Sequence, residues 1–135
     1  MSEQPAPQPF EYAVLRLAPR VERGEFMNIG VVVISRPQRY LAAKVELDDA
    51  RLAAFAPWLT PEQRAEIAET IALIPRICAG DPDAGPIARL SMTERWHWIV
   101  APSSSMIQAG PVHTGLCATP ERMLERVFEE QVAVR

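Results

Sequence analysis

The chain reads as an α+β domain: a three- to four-stranded antiparallel sheet, built as a meander, with helices packed on one face. Three observations lead there. Tyr12 to Leu47 holds three strand-like runs joined by a polar loop and a tight turn. The remainder carries two capping-box helix starts followed by apolar residues at steps of three and four. With 135 residues, 48% hydrophobic and 23% charged, the chain has enough apolar material for one core and no internal linker that would divide it.

The first run, Tyr12 to Ala18, places Ala13, Leu15 and Leu17 on one side and Tyr12, Val14 and Arg16 on the other, the period of a half-buried strand. Pro19 to Phe26 is a polar loop. In Met27 to Ser35 both sets of alternate residues are apolar, so this is the central strand. Gly30 in its middle predicts that a neighbouring aromatic ring or a crossing helix occupies the space of the missing side chain. Arg36-Pro37-Gln38-Arg39 turns the chain into a third strand, Tyr40 to Leu47, with Leu41, Ala43 and Val45 inward.

Asp48 or Asp49 caps a short helix to about Ala56, which Pro57 breaks. Thr60-Pro61-Glu62-Gln63 opens the next, with Ile67, Ile71, Ile74 and Cys78 as its buried stripe. Pro75 is expected to kink or shorten it, and Gly80 to finish the run. Asp81 to Pro86 is turn chemistry. Ser91-Met92-Thr93-Glu94 starts a helix to about Val100, Met106 to Ala109 is long enough for a fourth, short strand, and Gly110 to Gly115 reads as loop. Thr119-Pro120-Glu121 begins the last helix, whose stripe is Leu124, Val127, Phe128 and Val132. Met1 to Pro9 is expected to be a disordered tail before one domain, 10–135.

Several function classes are disfavoured. The apolar run Gly30 to Ile34 is far shorter than the ~20 residues a membrane helix needs, and the tail has no apolar core of a leader. A cytoplasmic protein is the expectation. Net charge is −3, and Arg16, Arg20 and Arg23 are interrupted by Glu22 and Glu25, which argues against nucleic acid as a partner. Cys78, His97, His113 and Cys117 lack the spacing of a zinc site, so no metal or cofactor is expected, and both cysteines read as free core residues. Trp58, Trp96 and Trp98 read as packing residues before base-stacking ones.

Two polar segments carry chemistry. In Arg20-Val21-Glu22-Arg23-Gly24-Glu25-Phe26, followed by Asn28, guanidinium groups can clamp an anion and a glutamate can act as base, or the charges simply pair with one another in solvent. His113-Thr114 offers an imidazole that titrates near neutrality, or a hydrogen-bonded structural histidine. His97, between two tryptophans, is explained by packing or exposure.

The runs Tyr12-Ala13-Val14-Leu15-Arg16, Pro19-Arg20-Val21-Glu22-Arg23-Gly24-Glu25-Phe26-Met27-Asn28-Ile29-Gly30-Val31, Gly85-Pro86-Ile87 and Pro111-Val112-His113-Thr114-Gly115 resemble a bacterial family of proteins of unknown function, DUF3037. The resemblance covers nearly the whole chain after the tail. It supplies no activity, and it implies a protein partner, a HipA-like toxin kinase. Its most specific pieces, the Arg-Gly-Glu-Phe-x-Asn-x-Gly run and the His-Thr-Gly loop, are the two polar segments. Arg16, Arg20, Arg23, Glu25, Asn28, His113 and Thr114 are therefore the candidate binding residues, expected to line one pocket at an end of the sheet. The expected function is a non-enzymatic binding or regulatory module for a protein partner or a small anionic ligand. The alternative is a hydrolase of phosphate esters or nucleic acid with Glu25 or His113 as acid-base residue and Arg23 stabilising charge. The residues leave open which of the two it is.

Overall fold

The meander forms as the alternation requires. In a computed structural model that describes residues 5–103 and 105–133, β2 (Met27–Ser35) pairs antiparallel with β1 (Gln8–Leu17) on one side and β3 (Tyr40–Val45) on the other. β1 begins at Gln8, four residues before Tyr12, so part of the expected tail belongs to the sheet; residues 1–4 of that tail lie outside the described residues. The buried hydroxyl of Ser35 donates to Pro9 O at 2.9 Å and accepts from Gln38 Nε2 at 3.2 Å. A polar group at the end of β2 is thereby satisfied while it ties the β2–β3 turn to the start of β1.

After β3 come α1 (Asp49–Phe55), α2 (Pro61–Cys78), α3 (Met92–Val100), β4 (Ile107–Ala109), β5 (His113–Cys117) and α4 (Pro120–Gln131). The helix starts are as the capping chemistry dictates. Asp48 accepts from Arg51 N, and the Thr60–Gln63 and Ser91–Glu94 capping boxes are both closed. Pro75 does not end α2, which continues to Cys78. The stripe beyond the proline, Ile77 and Cys78, is buried, and Arg95 donates to Cys78 O, so packing and capping hold the last turn against the lost hydrogen bond.

The α+β class stands, with two corrections of detail. The sheet has five strands, because His113 to Cys117, read as loop and its aftermath, is β5. β4 and β5 lie one behind the other along the same edge of β1, β4 against Leu15–Leu17 and β5 against Gln8–Tyr12. Nothing in His-Thr-Gly-Leu-Cys alternates strongly; the open edge of β1 makes it a strand.

The second correction is that helices cover both faces. α1, α2 and α3 pack on the face that presents Ala13, Leu15, Leu17, Ile29, Val32, Ile34 and Leu41, with Trp96 and Leu52 buried among them. Val31 and Val33 point the other way, and α4 covers them with Leu124, Val127, Phe128 and Val132. A central strand apolar on both sides demands a second layer. The space at Gly30 is also taken differently from expectation: a Cβ there would meet Lys44 O and Val45 Cγ1 at 2.8 Å, so β3 itself fills it. This lies at a β-bulge, where the register passes from Leu15↔Gly30 to Arg16↔Asn28 and Ile29 is the extra residue.

Candidate functional site

The seven candidate residues do not gather in one pocket. Arg23 and Glu25 pair with each other, Nε to Oε1 at 2.6 Å, both more than half exposed, around a short 3-10 turn (Val21–Arg23) that Gly24 closes at φ 69°. Thr114 pairs with Glu11 in the β1–β5 ladder and is exposed. Strand alternation sends it to the face opposite its neighbour His113.

Three of the seven share one sheet face. Because the bulge skips Ile29, Asn28 stands directly across from Arg16, and Gln108 stands across from Arg16 on the other side, in β4. The side chains of this row emerge on the α4 side, beyond the part that α4 covers. Asn28 Nδ2 donates to Gln131 O at 3.0 Å, anchoring the end of α4, and the Arg16 guanidinium lies 4.1 Å from the centre of the Phe26 ring. Further along the same face His113 stacks on Tyr12, ring centres 4.9 Å apart, and Tyr12 on Phe10 at 6.1 Å. Gly115 of the His-Thr-Gly run sits under Phe10: a Cβ would lie 2.8 Å from the ring.

Arg20 alone of the seven reaches the main concavity, on the opposite face. A groove of about 940 Å³ runs between β1, the outer side of α2, the end of α3 and the strand entry at Met106 and Ile107. Its floor is Leu15, Leu17, Ile67, Ile74 and Ile77. Trp58, Leu73, Trp98 and Met106 stand along it 43%, 36%, 52% and 38% exposed, half of the large apolar side chains that the described residues leave in solvent. Trp96 is core as expected, but Trp58 and Trp98 are not packing residues. The Arg20 guanidinium lies over the Trp58 ring, 4.3 Å from its centre, and has no carboxylate partner among the described residues; Glu66 and Gln63 of α2 add polar groups to the wall.

Sequence reasoning missed this groove. Its signal was present in the long apolar residues on the solvent side of α2 and α3, Leu73 and Trp98, which an amphipathic helix has no need of there.

Reactivity is muted elsewhere. Cys78 and Cys117 are both free and buried. Burial pushes the Cys78 thiol up to about 12, with Arg95 pulling the other way, and burial likewise raises Cys117 against its hydrogen bond from Gln38. Among the described residues no three His, Cys, Asp or Glu side chains converge as a metal site, and no helix is long and apolar enough to cross a membrane.

Residues 12–132 match the family model described as "Protein of unknown function (DUF3037)". The chain belongs to DUF3037. No curated protein and no solved structure matches it. The match spans all four helices up to Val132 and the sheet from Tyr12 onward, so groove and polar face both lie inside this DUF3037 domain.

Proposed function

We propose that this DUF3037 protein is a binding module that docks the apolar face of an amphipathic helix, supplied by a partner protein, in the groove between β1, α2 and α3. The observation that carries the reading is the set Trp58, Leu73, Trp98 and Met106, four large apolar side chains left in solvent around one concavity. Tryptophan and arginine dominate the energetics of protein interfaces, and a groove read by helix anchors at i, i+3, i+4 and i+7 has this composition. Two half-exposed indoles standing at the sides suit a macromolecule that lies along the groove. Arg20, without a carboxylate of its own, asks for an acidic side chain at that end of the helix, and Glu66 for a basic one beside α2.

A HipA-like kinase, the partner class implied by the family resemblance, is the first candidate. The hydrolase alternative gains nothing from the geometry: Glu25 is held by Arg23, and His113 by Tyr12.

The test is titration with a purified HipA-like kinase from the same source, read by calorimetry and tryptophan emission. Binding should shift the indole emission to the blue, and the double variant Trp58→Ala, Trp98→Ala should weaken it at least a hundredfold with the melting temperature nearly unchanged. Full binding by the double variant removes the groove from the interface. No binding of the kinase to the wild type removes that partner.

A further inference from the structure

The groove leaves the Arg-Gly-Glu-Phe-x-Asn and His-Thr-Gly segments without a role. From the opposite sheet face we infer a second, separate site: Arg16 binds an oxyanion, a phosphate or carboxylate group, carried by a small molecule whose apolar body lies over Val14 toward Tyr12 and His113.

The guanidinium of Arg16 is held as few surface arginines are. Phe26 stacks on it at 4.1 Å. Gly110 also runs against it, where a Cβ would lie 3.0 Å from Cζ and 3.1 Å from Nε and Nη2. The group is thus packed against both a ring and a strand that approaches closely because it has no side chain there. Such packing restrains the fork while supplying none of its hydrogen bonds. Arg16 Nε is buried and has no acceptor, and neither terminal nitrogen has a partner among the described residues.

A guanidinium has five N–H donors and no acceptor, so these donors can be satisfied only by an acceptor brought to them. An oriented cation with unused parallel donors is what bidentate recognition of a carboxylate or phosphate requires. The flanking row leaves recognition of the anion to Arg16. Asn28 and Gln108 stand on either side of Arg16 and each spends its amide nitrogen on a carbonyl, Gln131 O and Ser105 O respectively. Along the strand, Val14 is half-buried and follows on the same face, then the Tyr12–His113 stack. Four residue steps along the strand, about 13 Å, take Arg16 to Tyr12, so the surface takes an anionic head at one end and a flat or apolar body beyond it.

The experiment follows the Nε–H resonance of Arg16 by NMR during titration with inorganic phosphate, phenyl phosphate and benzoate. The Arg16 signal should move saturably with phenyl phosphate or benzoate, and whichever binds more tightly identifies the head group. Inorganic phosphate, which leaves Val14 uncovered, should bind about tenfold more weakly than phenyl phosphate. In variants that lack this resonance, binding is read from the backbone amides of Val14 and Gly110: Arg16→Gln should abolish their response, and Arg16→Lys, which keeps the charge and loses the fork, should weaken binding at least tenfold. Gly110→Ala guards against a folding artefact: its methyl presses on the guanidinium without touching the charge and should also weaken binding tenfold or more in a protein with an otherwise unchanged spectrum. The inference fails if none of the three anions saturates the Arg16 signal, or if Arg16→Lys and Gly110→Ala bind as the wild type does.

Discussion

The two faces of the sheet are built differently. On one, three helices and the larger buried cluster cover the strands, with Trp96 and Leu52 at its heart. On the other, α4 alone covers β2 and β3 and leaves the β1 side of the face to polar and aromatic residues. The first face is where stability is concentrated, and its concavity lies at the margin, where helix side chains have nothing left to pack against. The second is thin enough that a charged side chain such as Arg16 sits on the sheet itself. Binding surfaces arise on both by the same route: each is a place where covering elements run out.

Core substitutions test that asymmetry most directly. Trp96→Ala, removing the largest fully buried side chain, should cost about 3–5 kcal/mol in urea denaturation. Leu124→Ala empties a space under a single helix with solvent close behind, and should fall at the lower end for its type, about 2 kcal/mol. Equal losses would mean that the α4 layer is as integral as the three-helix layer, and the comparison would collapse.

A pH experiment sharpens it, because Tyr40→Phe changes the α4 face and leaves the alkaline contribution of the buried Cys78 on the other face in place. Burial, then the charges of Glu121 and Glu125, pushes the Tyr40 phenol up to about 12 from an ordinary value of 10.0. The neutral form is the one the folded state favours. Stability from this group is therefore complete below pH 10, where both states hold the proton, and is lost as pH rises through the window from 10 to 12, where the unfolded chain releases it first. Denaturation midpoints should fall across that window and fall less in Tyr40→Phe. An identical alkaline slope in the variant would show that α4 does not set the environment of Tyr40.

How much of this was legible beforehand follows from the range of the signals. Caps and periodicity are local, so Asp48, Thr60 and Ser91 and the stripes of α2 and α4 read correctly. The alternation in β2 even stated that both faces were apolar, and a second helical layer is its consequence. β5 was not legible, because its pairing is decided by the free edge of β1 a hundred residues earlier, and its own sequence is nearly neutral. The candidate site was half legible for a similar reason. Arg16, Asn28 and His113 do share a face, but only through the bulge at Ile29 and the β1–β5 register; residue type alone cannot separate them from Arg20, which turns to the groove.

The smallest expected effect concerns the residues that looked chemically richest. Arg23 and Glu25 are bonded at 2.6 Å, yet 55% and 52% of their side chains face solvent. An ion pair in that setting gains little over hydration and is weakened by salt, so Glu25→Gln should change stability by less than about 1 kcal/mol. It should leave both the kinase titration through the groove and the anion response at Arg16 unchanged, since it touches neither surface. A loss in either titration would place the Arg23–Glu25 pair inside a binding site, and would mean that density of charge in the sequence, and not the ending of the helical layers, marks where this molecule meets its ligands.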